Sequence, residues 1–253
     1  GDSQQMLPSW YVGAEITGAA LVWSAGIGIG FLNVRVLNLL ITILWFIVIT
    51  SAFRLIDNMI GLATGITTIN CLTLFALALT NGQILLAVLS ISLAGSTSGF
   101  LGYTIRTRQS TLGTSGSQFV GFMIAFLALQ LEGQTIALVP ILACSFVIIN
   151  LLFAIAHRQM MRRGLSRTVQ VGIGHTLLDL GLRTPVVLSC LYLLAGLIGA
   201  ISYLTNRVSS MTGLVLFGLV SMILFVNILI LLRKSMHRYD RTINCHLTEY
   251  ERS

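Results

Sequence analysis

The few side chains of this sequence that can do chemistry stand in short polar stretches between long apolar runs. Ser115 and Ser117 alternate with glycines in the sequence GTSGS. At the start of a helix this sequence can cradle a phosphate through its backbone N–H groups, or it can form a plain tight turn. A basic run farther along the chain can anchor a membrane helix and bind anionic lipid headgroups, and it consists of Arg158, Arg162, Arg163 and Arg167. These groups point to phosphate-bearing ligands.

Two acidic residues have both a structural and a functional interpretation. Asp57 stands at a predicted helix start, where a carboxylate can cap backbone N–H groups or pair with Arg54. Glu15 lies inside an apolar stretch, and a carboxylate within a membrane is usually functional. Because Glu15 closely follows Trp10 and Tyr11, it can also reach the membrane surface. The sequence leaves these interpretations open.

The composition predicts a membrane protein. Of the 253 residues, 55% are hydrophobic and only 9% are charged, whereas a soluble domain has about a quarter charged residues. The formal net charge of +7 comes from arginines at the ends of apolar runs, without the aromatic and basic stripe of a nucleic-acid surface. We therefore expect membrane lipids, their anionic headgroups and other membrane proteins as partners, and no nucleic acid.

Uncharged stretches of membrane-crossing length predict an all-α bundle of about eight transmembrane helices within residues 1–232. The longest uncharged run, residues 58–105, must fold back on itself, and Thr80–Gln83 is the polar turn sequence near its middle. A basic loop at 157–183 and a basic tail at 233–253 complete the predicted organisation. The expected spans are about 10–32, 35–54, 59–79, 84–104, 117–131, 135–156, 184–204 and 211–232.

The positions of the cations predict the orientation in the membrane. Lys and Arg residues beside short loops are retained in the cytoplasm. When both termini are placed in the cytoplasm, that side holds 13 of the 15 Lys and Arg residues, and only Arg35 and Arg207 lie outside. We therefore expect any polar chemistry or partner docking on the cytoplasmic face.

Three of the predicted cytoplasmic regions resemble the signatures of one enzyme family. Residues 51–63, SAFRLIDNMIGLA, resemble N-A-x-N-L-x-D-G-x-D-G-L-A. Residues 99–103, GFLGY, and 112–122, LGTSGSQFVGF, resemble G-F-L-x-Y-N and F-x-G-D-S-G-S-x-x-L-G-F. Residues 174–182, GHTLLDLGL, resemble the H-L-H-H-R-L-L-x-x-G-L loop. Together they resemble the polyprenyl-phosphate N-acetylhexosamine-1-phosphate transferases of glycosyltransferase family 4, which include phospho-N-acetylmuramoyl-pentapeptide transferase.

The resemblance implies a bacterial inner-membrane enzyme that moves a phosphosugar from a UDP-sugar to a polyprenyl phosphate. It also implies Mg²⁺ held by carboxylates, because several phosphate charges meet in such a site. Here Thr114 and Ile60 stand at the positions of two family aspartates. Arg54 replaces a neutral asparagine, and its charge would repel a nearby metal ion. Three more replacements, Asn150 for an aspartate and Gly172 and Gly174 for histidines, leave Asp57, Ser115, Ser117 and His175 of the polar core.

We therefore expect a catalytically degenerate relative without a cofactor, which acts as a structural or accessory subunit of a membrane complex or binds a lipid. Asp57 and His175 are then vestigial, and Thr114 marks the lost metal position. The candidate phosphate-binding residues are Ser115, Ser117, Arg158, Arg162 and Arg163. Because the resemblance begins partway along the family pattern, its first two helices are expected to be absent. The alternative is an active transferase that uses Mg²⁺, a UDP-N-acetylhexosamine and polyprenyl phosphate.

Overall fold

The computed structural model describes residues 9–28, 35–107, 111–131, 138–161, 172–179, 181 and 183–207. This part of the chain is all-helical, as the sequence predicts. Its helices are α1 (Ser9–Ser24), α2 (Arg35–Ile56), α3 (Leu62–Thr80), α4 (Ile84–Thr107), α5 (Gly113–Gln130), α6 (Leu138–Met161), α7 (Ile173–Asp179) and α8 (Thr184–Arg207).

Several of these helices fit a membrane. Within the described residues, α2, α3, α4 and α8 are long and apolar enough to cross a bilayer. Helix α6 is 24 residues long, and its sequence contains no charged residue from 138 to 156. These helices support a multi-pass membrane protein, although they do not establish the expected number of eight spans. The expected span 211–232 and the tail 233–253 lie outside the described residues.

Helix α1 is shorter than the expected span 10–32, because it ends at Ser24. Gly26 follows with a φ of 85°, a left-handed conformation that glycine adopts at little cost. The Gly26 N–H donates to the Trp23 carbonyl at 2.9 Å, and the Ile27 N–H donates to the Val22 carbonyl at 3.2 Å. These two bonds form a Schellman motif, which ends a helix by satisfying its last carbonyls.

Helices α3 and α4 form an antiparallel hairpin, and the predicted turn at Thr80–Gln83 is confirmed. Gly82 has a φ of 72°. The Gln83 N–H donates to the Ala78 carbonyl at 2.9 Å, so that the last turn of α3 closes in the same way as that of α1. Farther along the hairpin, the hydroxyls of Thr68 and Thr97 share a hydrogen bond of 3.0 Å. Hydroxyl bonds of this kind hold helices together where lipid provides no hydrophobic driving force.

Helix α8 runs parallel to α3. The ring of Tyr192 lies against Gly65, and Thr73 lies against Gly199 about two turns farther along both helices. Near the far end, the Asn206 amide donates to Asn81 Oδ1 at 3.0 Å. Because glycines on both helices admit side chains of the other, the two backbones can approach closely.

Helices α2, α3 and α5 supply most of the bulky core side chains. The largest fully buried residues on them are Phe46, Ile49, Phe53, Ile56, Ile66, Leu74, Leu77, Ile124 and Leu127. This packing fixes where the ends of the three helices lie, and the candidate site is built at those ends.

Candidate functional site

The loop between α2 and α3 is where the family-like sequences meet. This segment, residues 57–61, is called the Asp57 loop below. It contacts the start of α5 through Asp57. It contacts α7 through Met59, which lies against Gly174. The three family-like regions, far apart in the sequence, therefore converge at one end of the bundle.

Asp57 caps the N-terminus of α5. It does not cap α3, the helix that directly follows the Asp57 loop. The Leu112 N–H donates to Asp57 Oδ1 at 3.1 Å, and the Gly113 N–H also bonds to this carboxylate. Burial raises the pKa of Asp57 to about 6, although these two N–H groups partly offset it by favouring the charged form. The carboxylate thus takes the place that an anion would occupy at the N-terminus of α5.

Arg54 has a different electrostatic partner from the one that the sequence suggested. The described residues show no ion pair between Arg54 and Asp57; instead, the charge of Arg54 acts on Glu15 of α1. The Gln118 amide of α5 donates to Glu15 Oε1 at 2.9 Å, and the Thr50 side chain of α2 lies beside the same carboxylate. Glu15, Gln118 and Thr50 thus form a polar cluster between α1, α2 and α5, and Arg54 acts on it through its charge.

The Glu15 side chain is buried inside the bundle. It is only 7% exposed, so it does not reach the membrane surface as an isolated group. A buried carboxylate with a hydrogen-bond donor and a nearby guanidinium is compensated rather than free. The charge of Arg54 favours the ionised form of Glu15, whereas burial opposes it more strongly.

The GTSGS sequence does not form a ring of converging hydroxyls. The Ser117 side chain is buried, and its hydroxyl donates to the carbonyl of Gly113 at 2.9 Å within its own helix. Thr114 and Ser115 are exposed at the start of α5. Gly113 has a φ of 73°, which fits the turn that precedes the helix. Ser117 is therefore a helix-packing residue, whereas Ser115 and Thr114 can face a ligand.

The His175 region forms the short helix α7, whose start is bonded to Asn150, the residue that stands for an aspartate of the family pattern. Asn150 of α6 accepts a hydrogen bond from the Ile173 N–H through Oδ1 at 3.1 Å, at the start of α7. Gly174 leaves room for the sulfur of Met59, and any side chain at residue 174 would meet that sulfur. A histidine at residue 174, which the family pattern has, does not fit this packing.

Some of the candidate residues cannot be placed. The helical backbone at His175 and Arg158 is described, but their side chains are not, and Arg162 and Arg163 lie outside the described residues. Conversely, the sequence did not reveal that Tyr192 of α8 donates to the Gly61 carbonyl at 2.7 Å. No local signal marks such a contact, because the two residues are 131 positions apart in the sequence.

The side chains around Asp57 do not fit a Mg²⁺ site built from carboxylates. In the part of the chain that the structure describes, no group of three or more His, Cys, Asp or Glu residues is close enough to share a metal ion. Asp57 is the single carboxylate of the loop, and two N–H groups already bond to it. Hydroxyls of Thr114 and Ser115 are neutral oxygen donors, which bind Mg²⁺ more weakly than carboxylates do.

Comparison with known proteins identifies the relatives of this chain. Residues 8–132 match the family model described as glycosyl transferase family 4. A probable undecaprenyl-phosphate N-acetylglucosaminyl 1-phosphate transferase of Bacillus subtilis is 32% identical over 193 residues, which are 75% of this chain and 53% of that protein. A decaprenyl-phosphate N-acetylglucosaminephosphotransferase of Mycobacterium leprae is 28% identical over 222 residues, or 78% of this chain and 56% of that protein.

A third relative matches a shorter segment. The phospho-N-acetylmuramoyl-pentapeptide-transferase of Moorella thermoacetica is 36% identical over 109 residues, which are 43% of this chain and 34% of that protein. The matches to these three relatives thus cover between 34% and 56% of their lengths. The chain spans about half or less of each.

Proposed function

Because this chain belongs to the glycosyl transferase family 4 superfamily, we propose that it is a non-catalytic member, kept as a structural or accessory subunit of a membrane complex or as a lipid binder. One observation carries the proposal. The carboxylate of the Asp57 loop is used as a cap for α5, through the N–H groups of Leu112 and Gly113. A carboxylate used in this way holds two segments of the protein together and needs no metal ion.

The neighbouring replacements support the same proposal. Thr114 and Ile60 provide no charge where the family pattern has aspartates. Met59 is buried against Gly174, and this contact takes the space that a histidine side chain would need. The contact between Met59 and Gly174 packs the loop against α7, while Thr114 and Ile60 are exposed and uncharged.

The lipid-facing surface supports a role in binding other membrane components. Helices α4 and α8 expose large apolar side chains along their length, namely Ile84, Leu85, Val88, Ile91, Leu193, Leu197 and Leu204. Such side chains suit lipid or another helix. The basic run from Arg158 to Arg167 would add attraction to anionic headgroups.

An exchange assay tests the non-catalytic proposal. Membranes that contain the chain should show no Mg²⁺-dependent exchange of UMP into UDP-N-acetylhexosamine above membranes that lack it. The Bacillus subtilis relative, expressed in the same host, serves as the positive control. Mg²⁺-dependent exchange that is abolished in the Asp57→Asn variant would contradict the proposal.

Purification separates the two roles. In a mild detergent we expect either a second membrane protein or a polyprenyl phosphate to co-purify with the chain in near-stoichiometric amount. A pure, monodisperse sample that contains neither would argue against both roles.

The second candidate function is an active transferase that moves N-acetylhexosamine-1-phosphate from a UDP-sugar to polyprenyl phosphate. It is favoured by the convergence of the three family-like regions at the Asp57 loop. The polar groups of the family pattern that survive in the sequence are Asp57, Ser115, Ser117 and His175, of which Ser117 is buried and bonded within α5. The exchange assay decides between the two functions, because only this one predicts UMP exchange that depends on Mg²⁺.

A further inference from the structure

Tyr192 links a membrane helix to the Asp57 loop. It lies in α8, and its hydroxyl donates to the carbonyl of Gly61 at 2.7 Å. Gly61 is the last residue of the loop and has a φ of 85°, a left-handed conformation that residues other than glycine rarely adopt. The hydrogen bond therefore acts on the residue whose unusual backbone directs the chain from the loop into α3.

The contact between α8 and α3 is shaped for this ring. Gly65 follows Gly61 by about one helical turn, and the ring of Tyr192 lies over it. Any side chain at residue 65 would occupy the space of the ring. Buried tyrosines usually find a partner for their hydroxyl while the ring packs against apolar surface. Here the notch at Gly65 allows the ring to lie close to α3, and the hydroxyl then reaches the Gly61 carbonyl.

The Asp57 loop is held at three places by three different elements. Asp57 bonds to the Leu112 N–H at the start of α5. Met59 is buried against Gly174 of α7. Gly61 accepts the bond from Tyr192 of α8. Between these points, the side chains of Asn58 and Ile60 are not buried.

We infer that Tyr192 is a positioning residue, which fixes the conformation of the Asp57 loop and thereby the places of Asp57 and Ile60 at this end of the bundle. The inference applies to both functions proposed above, because it concerns the shape of the loop and not its chemistry.

The Tyr192 hydroxyl can be removed without unwinding α3. The Gly61 carbonyl also accepts the Gly65 N–H at 3.0 Å and the Thr64 hydroxyl at 2.9 Å. It therefore keeps partners in the Tyr192→Phe variant, and the first turn of α3 stays bonded. The variant thus separates an effect on the loop from a general loss of structure.

Thiol labelling tests the inference. Ile60, which is 41% exposed, is replaced by cysteine as a reporter in the loop, in a background with Cys190→Ser and Cys245→Ser. Cys71 and Cys144 are buried and stay in place. We expect Tyr192→Phe to raise the rate of reaction with a water-soluble maleimide about fivefold, as the loss of one net hydrogen bond predicts. Gly65→Ala, which displaces the ring, should raise it in the same direction.

Two controls make the result specific. Tyr103→Phe removes a hydroxyl from a tyrosine that is 58% exposed on α4, and it should leave the rate at residue 60 unchanged. A second reporter, Ile84→Cys, lies at the start of α4, at the end of the bundle opposite to the Asp57 loop. Tyr192→Phe should leave the labelling rate at residue 84 unchanged. The inference is overturned if Tyr192→Phe leaves the rate at residue 60 at the Tyr103→Phe value, or if it raises the rates at residues 60 and 84 equally. No enzymatic assay enters this test, so its outcome is independent of the proposed function.

Discussion

At the scale of single residues, Asp57 joins two segments that are 55 residues apart in the sequence. Its carboxylate is half-buried and bonds to the N–H groups of Leu112 and Gly113. Both the charged carboxylate and a neutral amide can accept such bonds. A structural cap should therefore tolerate the loss of charge, whereas a metal ligand should not.

We predict that Asp57→Asn is tolerated better than Asp57→Ala. The alanine variant loses both accepted bonds and should lose about 1 kcal/mol of folding free energy, as is typical for a helix N-cap. The asparagine variant keeps an oxygen acceptor and should lose less. Thermal unfolding midpoints in detergent at neutral pH measure both effects. Equal losses in the two variants would indicate that the negative charge itself is required.

The raised pKa of Asp57 predicts a pH dependence with a definite sign. Its pKa is about 6 in the folded protein, against an ordinary value of 3.8 for an aspartate in water. Between these values the folded state binds more protons than the unfolded state, so the stability contributed by Asp57 falls as the pH rises through this window. The unfolding midpoint of the wild type, relative to that of Asp57→Asn, should therefore decrease from about pH 4 to about pH 6. A difference that stays constant with pH would contradict this assignment.

At the scale of elements, the close packing of α2 and α5 brings the Asp57 loop to the start of α5. Gly121 of α5 lies against α2, and a Cβ atom at this residue would be 2.9 Å from the Thr50 Cα and 3.2 Å from the Phe53 Cβ. A backbone atom cannot move aside as the end of a side chain can. The two helices can therefore be this close only because residue 121 has no side chain.

We predict that Gly121→Ala destabilises the bundle by about 1–3 kcal/mol, because the added methyl group forces α2 and α5 apart. Gly95→Ala is the matched control, since nothing lies within 4 Å of a Cβ atom at residue 95 of α4. The control should be neutral or slightly stabilising, because alanine favours a helix more than glycine does. Unfolding midpoints in the same detergent compare the two. An equal effect of both variants would show that the contact does not govern stability.

At the scale of the whole molecule, the distribution of cations predicts which side of the membrane each loop faces. The Asp57 loop and the starts of α5 and α7 belong to one end of the bundle, and the α3–α4 turn at Gly82 belongs to the other. Since 13 of the 15 Lys and Arg residues fall on one side in the predicted arrangement, the end that carries the Asp57 loop should face the cytoplasm.

Reporter fusions test this orientation. Alkaline phosphatase fused after Gly82 should be active, because the enzyme folds only after export, and the same reporter fused after Asn58 should be inactive. Fusions of green fluorescent protein at the two positions should give the opposite pattern. If phosphatase activity appears at Asn58 and not at Gly82, the orientation is reversed and the Asp57 loop lies outside the cytoplasm.

The sequence by itself determined the all-helical architecture, the turn at Thr80–Gln83 and the family-like regions. Apolar runs, turn residues and signatures are local properties, and the membrane fixes the length of an apolar helix whatever its neighbours are. Helix α1 ends at Ser24, within the expected span 10–32, and an apolar run does not show where a Schellman motif ends a helix.

Only the tertiary structure decided what the polar residues contact. Asp57 and Leu112 are 55 residues apart, Glu15 and Gln118 are 103 apart, and Tyr192 and Gly61 are 131 apart. From the sequence, Arg54 was a possible partner for Asp57. In the packed bundle the charge of Arg54 acts on Glu15 instead. Side-chain partners depend on how several helices cross at once, and the periodicity of a single helix does not contain that information.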